Sequence, residues 1–218
     1  MVQAISTGDR NESIIVPGKI SGLMSPGQMM EQLSQHGCRS ITDQLDLSRC
    51  GKYPLFAGGF GDVFQGTLRD GTQVAIKCLR ILAGSMDQGG KQLKAAAREL
   101  NNWSKCKHRN IMELIGVALY NDRIAMVSPW MANSNLSVFL SRHPRVDRYS
   151  MCVQIADGVT YLHEHGVVHG DIKCINIMVS HDHTPKISDF GSSGKDQNSL
   201  SFTGTKTGFQ TTTRYAVN

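Results

Sequence analysis

Apolar positions along this chain change their period several times, and each change marks an element. Residues 1–24 hold no period: they are polar, with scattered Gly and Pro, and read as a mobile tail. In SPGQMMEQLSQHG, Ser25 suits an N-cap, Pro26 the first helical position and Gly37 a stop, which predicts a short helix over 26–36. ITDQLDLSRCGKYPL then leads into a first strand. DVFQGTL and TQVAIKCL are β-rich runs flanking Asp70-Gly71, a dipeptide suited to a tight hairpin turn. From Gln92 to Lys105 the chain is alanine-rich, and Leu93, Ala96, Ala97, Leu100 and Trp103 follow helical spacing. RIAMVSPWMANSNLSVFL reads as a buried strand, a bend marked by proline and a helix capped near Ser134 or Asn135. Met151, Ile155, Val159 and Leu162 keep helical spacing through 146–164, and Gly166 is a typical residue to end that helix.

Composition narrows the class without naming a function. The chain has 218 residues and is 40% hydrophobic, enough for one domain with a sizeable core. Its net charge of +5 is modest, and no basic cluster with interleaved aromatics points to nucleic acid. Six cysteines are scattered with no C-x-x-C, which argues against a zinc site or a disulfide framework. His163-Glu164-His165 and His181-Asp182-His183 resemble metal-ligand pairs, yet each is expected at a loop or helix end. No signal peptide is visible and no run approaches 18 apolar residues, so an intracellular, cytoplasmic protein with no membrane partner is expected.

The chemistry concentrates in the second half. His169-Gly170-Asp171-Ile172-Lys173-Cys174-Ile175-Asn176 is followed downstream by Asp189-Phe190-Gly191. Chemistry on a nucleotide phosphate needs a carboxylate to hold Mg²⁺, a second carboxylate to orient the attacking hydroxyl, and an amide oxygen for a second metal. Asp189, Asp171 and Asn176 supply that set. Upstream, FAGGFGDVFQG brings glycines that let backbone N–H groups approach phosphate. A dinucleotide-binding turn also uses G-x-G-x-x-G, but it runs into a helix. Here the glycines run into a hairpin, which excludes that reading.

Together, these motifs resemble a protein kinase domain. VVHGDIKCINIMV…PKISDFG resembles the kinase catalytic loop, two short strands and the metal-binding turn. Val74-Ala75-Ile76-Lys77 resembles the strand lysine that pairs with the α and β phosphates, and His108-Arg109-Asn110-Ile111 the exit from the helix that carries its glutamate partner, here Glu99. The resemblance implies an α+β, two-lobe fold: an N-terminal extension over 1–47, an N-lobe of antiparallel sheet plus one helix over 48–127, a hinge over 128–132, and an incomplete helical C-lobe over 133–218. It implies ATP and Mg²⁺ as cofactors. Gly58, Gly59, Gly61, Val63, Ala75, Lys77, Ser128, Pro129, Met131 and Met178 would line the ATP site. Asn176 and Asp189 would hold metal, and Asp171, Lys173, Lys77 and Glu99 would be catalytic. Lys173, two places after Asp171, resembles the Ser/Thr-specific loop, so protein Ser and Thr hydroxyls are the expected substrates. The closest likeness is to tyrosine-kinase-like Ser/Thr kinases of the sort expanded in mushroom-type fungi.

Three departures stand out. Phe56 occupies the place of the first loop glycine, with an expected effect on nucleotide affinity. Gly170 replaces the arginine that in the family grips an activation-loop phosphate. After Gly191 the chain resembles an activation segment and ends at Thr213-Arg214-Tyr215-Ala216-Val217-Asn218, before the A-P-E that closes it in the family. Much of the helical lower lobe is therefore expected to be missing, leaving an apolar face for a partner to cover. The alternative function is a catalytically inactive ATP-binding or protein-interaction module.

Overall fold

The computed structural model describes residues 25–35, 38–58, 61–79, 97 and 99–195. The tail over 1–24, Gly37, Gly59, most of 92–98 and the segment after Lys195 lie outside the described residues.

Strands β1 (Phe56–Gly58), β2 (Gly61–Thr67), β3 (Gln73–Cys78), β4 (Gly116–Tyr120) and β5 (Arg123–Pro129) form one antiparallel sheet in the order β1-β2-β3-β5-β4. The β2–β3 turn forms as its dipeptide requires: Gly71 has φ +91°, and the Thr72 N–H donates to Asp70 Oδ1 at 2.9 Å. Side chains alternate between the two faces. Phe64, Val74, Ile76, Cys78, Ala125 and Val127 enter a core on the outer face, roofed by Ile41 and Leu45. Burial pushes the Cys78 thiol up to about 11. The inner face carries the row Phe56, Val63, Lys77 and Met126, cross-strand partners from β1 to β5.

The extension packs on this sheet. Helix α1 (Pro26–Gln35) opens with a reciprocal cap: the Gln28 N–H donates to Ser25 Oγ at 3.2 Å and the Ser25 N–H to Gln28 Oε1 at 2.9 Å. Beyond it, Ser40 pairs in parallel with Val117, which covers the edge strand β4.

The remaining helices are α2 (described at 97 and 99–104), α3 (Leu136–Arg142) and α4 (Arg148–Glu164). Asn135 caps α3, accepting the Val138 N–H at 3.0 Å. Helix α4 starts later than its apolar spacing suggests because Asp147 takes the cap, accepting the Ser150 N–H at 3.1 Å. Gly166 follows the end of α4 with φ +67°. Strands β7 (Ile177–Val179) and β8 (Pro185–Ile187) pair with each other, as do β6 (Val167–Val168) and β9 (Gly194–Lys195). A second core joins α1, α2, β5, α3, α4 and the β7–β8 pair. Tyr149, Val153, Val168, Ile172 and Ile175 are apolar and exposed. Among the described residues, no helix is long and apolar enough to cross a membrane.

Candidate active site

Period-2 alternation puts Lys77 on the inner face of β3, beside α2. Its Nζ donates to Glu99 Oε1 at 2.8 Å and to Asp189 Oδ1 at 3.0 Å. Burial opposes charge on this amine, but the two carboxylates outweigh it and hold the proton well above the ordinary lysine range. Trp103, one helical turn after Glu99, stacks on Phe190 with centroids 5.9 Å apart. The Trp103 indole N–H donates to Met112 O at 2.5 Å. These contacts tie α2 to the Asp189-Phe190-Gly191 turn.

Asp171 lies in the loop between β6 and β7. Lys173 Nζ is 2.7 Å from Asp171 Oδ2, and the Asn176 amide donates to the same oxygen at 3.0 Å and to the Asp171 carbonyl at 2.9 Å. His169 fastens the loop to the strand end. Its Nε2 lies 3.0 Å from Ser188 O, and its Nδ1 accepts the Asp171 N–H at 3.3 Å. One ring nitrogen donating and one accepting is the neutral imidazole, in keeping with burial, which lowers the His169 pKa. Ser188 returns the tie: its N–H and its hydroxyl donate to Asn176 O at 2.8 and 2.9 Å.

Asp189 itself sits at φ +67°, a left-handed conformation uncommon for a residue with a Cβ. The fully buried Phe190 holds it there, with Trp103 on one side and His169 edge-on at 5.2 Å. Gly170 has φ +79°, and a Cβ on it would lie 2.8 Å from Ser192 O, so the backbone itself selects glycine.

The other expected site residues lie around this centre. Val63 and Ala75 are half-buried on the inner face, and Ser128 is buried opposite Ala75 in the register. Pro129 ends β5, Met131 is buried just beyond it, and Met178 is half-buried on β7. Gly58 and Gly61 flank the β1–β2 turn; Gly61 has φ +137°, with Cys78 O only 2.3 Å from where a Cβ would be. Phe56 faces Val63 across the strands and is 59% exposed.

For a hard cation, the donor set fits. Mg²⁺ takes oxygen ligands and is held by one or two carboxylates plus substrate phosphate. Asp189 is partly exposed with one oxygen on Lys77, and the Asn176 amide nitrogen is spent on Asp171, which leaves its carbonyl oxygen for another partner. Among the described residues no cluster of three His, Cys, Asp or Glu could hold a metal by itself.

In the sequence, Trp103 stands out only by helical spacing, and His169 and Ser188 only as members of the motifs HGDIKCIN and PKISDFG. An aromatic one turn after the paired glutamate was the available signal for Trp103. The Arg123–Asp62 ion pair at 2.8 Å, which joins β5 to β2, had none.

Comparison with known proteins agrees with this geometry. Residues 52–214, about three quarters of the chain, match the family model described as protein tyrosine and serine/threonine kinase. Cysteine-rich receptor-like protein kinase 5 of Arabidopsis thaliana is 37% identical over 153 residues, which is 66% of this chain and 22% of that protein. Cysteine-rich receptor-like protein kinase 6 of Oryza sativa subsp. japonica is 38% identical over 143 residues, 62% of this chain and 20% of the relative. A G-type lectin S-receptor-like serine/threonine-protein kinase of Arabidopsis thaliana is 33% identical over 159 residues, 67% of this chain and 19% of the relative. The chain thus spans about a fifth of the length of these relatives. They are plant receptor-like kinases and give no support to the narrower fungal grouping. The five-stranded sheet, the helical segment below it and the matched residues agree: the chain belongs to the protein tyrosine and serine/threonine kinase family, with an incomplete two-lobe fold.

Proposed function

We propose that this chain is the catalytic part of an ATP-dependent protein kinase that transfers the γ-phosphoryl group to Ser or Thr hydroxyls of protein substrates. One observation carries the reading. Lys77 bridges Glu99 and Asp189, while Asp171 gathers Lys173 and Asn176 in the adjoining loop.

In this reading Lys77, oriented by Glu99, holds the α and β phosphates. Asp171 orients the acceptor hydroxyl and takes its proton as the new P–O bond forms and the bond to ADP breaks. Lys173, already against Asp171, steadies the γ-phosphate. Bound at Asp189 and Asn176, Mg²⁺ would supply charge neutralisation on the phosphates. Gly58 and Gly61 would bring backbone N–H groups to the phosphates, and Val63, Ala75 and Met178 would sandwich the base. The Pro129 carbonyl and the Met131 N–H meet the adenine edge, with Ser128 at the back. Phe56, in the inner-face row with Val63 and Lys77, extends the apolar roof over the nucleotide. Proximity and charge stabilisation do most of the work. All six cysteines are free thiols, which suits a reducing intracellular compartment.

A second reading, a nucleotide-binding or interaction module without turnover, draws on the exposed Tyr149, Val153, Ile172 and Ile175. These apolar side chains would suit a partner on the helical half.

The test is γ-labelled ATP with Mg²⁺ and a mixed protein acceptor, beside a direct measurement of ATP binding. The kinase reading expects label on Ser and Thr, with Asp171→Asn abolishing transfer while binding persists. Binding without transfer by the unaltered chain selects the module reading. Absence of both removes the nucleotide site.

A further inference from the structure

Glu99 can reach Lys77 only while α2 stays seated against the sheet, and the seat is not made by the sheet alone. Leu100 and Trp103 of α2 lie in one apolar cluster with Met30 and Leu33 of α1 and with Cys38. Met30 and Leu33 are three residues apart and so share a face of α1. That helix lies against β4 and β5. The Cys38 side chain is itself buried in that cluster, and burial raises its thiol pKa.

The segment carrying these side chains is pinned along its length. The Cys38 N–H donates to Leu33 O, the Val117 N–H to Arg39 O and the Ile41 N–H to Val117 O, each at 2.9 Å. The Leu119 N–H donates to Thr42 Oγ1 at 3.0 Å. Further on, the Asp46 N–H donates to Thr67 O at 2.9 Å and the Gly51 N–H to Gln65 O at 2.8 Å. A strap fixed to the sheet at both ends therefore brings Met30, Leu33 and Cys38 into the apolar cluster that also takes in Leu100 and Trp103 of α2. Residues 25–46 also precede the matched family region, 52–214, so the family model says nothing about them.

We propose that α1 and the strap over 38–42 are a positioning device, in which Met30, Leu33 and Cys38 hold α2 where Glu99 meets Lys77. This rests on the nucleotide reading of the Lys77 site. Removing the strap's apolar contacts lets α2 move outward, parts Glu99 from Lys77, and leaves the ammonium poorly aimed at phosphate. Leu33 acts through Glu99 and touches no substrate.

A double-mutant cycle on the full chain tests it, read as the dissociation constant for a fluorescent ATP analogue with Mg²⁺. Leu33→Ala and Glu99→Gln should each weaken binding about tenfold, and the double variant should bind no worse than Glu99→Gln alone. Leu33→Met, which keeps the volume, should bind like the unaltered chain. Factors that multiply in the double variant, or unchanged binding by Leu33→Ala, would overturn the proposal, since packing that merely supports the fold has no reason to need Glu99. If Leu33→Ala loses cooperative unfolding, Met30→Ala is read in the same cycle with the same criteria. An unaltered chain that does not bind ATP at all removes the nucleotide reading and this proposal together.

Discussion

Lys77→Met isolates the charge at the centre of the site. Methionine nearly fills the lysine volume, so the substitution opens no large cavity and removes one ammonium from between two carboxylates at 2.8 and 3.0 Å. Breaking one partner out of a buried pair costs about 3–5 kcal/mol. Asp189, 25% exposed, keeps some hydration and contributes the smaller part. Glu99, 6% exposed, is left buried without its cation and contributes the larger part. The variant should therefore lose about 3 kcal/mol of stability at pH 7. Lys77 adds no slope of its own near neutral pH, because its folded pKa is raised and its contribution is fully present below the unfolded lysine value and fades only at far higher pH. Urea denaturation of both chains at about pH 7 measures the difference. Labelling by an ATP analogue should be lost in the variant. A difference well under about 1 kcal/mol would refute the argument, because it would mean that the carboxylates are hydrated.

Three further outcomes are expected. Because burial lowers the His169 pKa, the unfolded chain takes up that proton first, so stability should fall as pH drops through about 6.5; His169→Gln should flatten the urea midpoint between pH 7 and pH 5. Gly170→Ala puts a Cβ 2.8 Å from Ser192 O at φ +79° and should lose about 1–3 kcal/mol in the same assay, whereas unchanged stability would show that the loop adjusts freely. Phe56→Ala should weaken ATP binding by about tenfold if its ring covers the nucleotide, and titration of a fluorescent analogue would detect that change.

The parts of the fold legible in the sequence are those decided by neighbours along the chain. Alternation through β2 and β3 separates Val63, Ala75 and Lys77 from Phe64, Val74 and Ile76 because each face of the sheet meets a different environment. Ser25 and Asn135 mark helix starts because each accepts an N–H three residues on, whereas the cap at Asp147 was not read from the sequence. The motifs led to one charged pair, Lys77 with Glu99, but not to the meetings of Lys77 with Asp189 or of Lys173 with Asp171. What stayed hidden was decided across the fold. No local pattern tells that Thr42 will accept the Leu119 N–H or that Cys38 will be buried in a cluster with Leu100 and Trp103. Trp103 had helical spacing but nothing to name Phe190 as its neighbour.

Strand β8 explains how segments so far apart share one geometry. The Ile187 N–H donates to Asn110 O at 2.8 Å, and the Met112 N–H donates to Ile187 O at 2.8 Å, so β8 is bonded to the chain just after α2. From the other side α4 closes in at Gly158, where a Cβ would lie 3.0 Å from both Asn110 O and Ile187 Cδ1. One residue later Ser188 bonds to Asn176 and His169, and the next residue is Asp189. Ile187 is fully buried, so β8 cannot slide without breaking bonds or packing on both sides. A displacement of α4 or of the 108–112 loop would therefore reach Asp189 and the Asp171 loop together. The carboxylate that meets Lys77 and the one that faces Lys173 are held by a common strand, so their separation is set by core packing rather than by either loop.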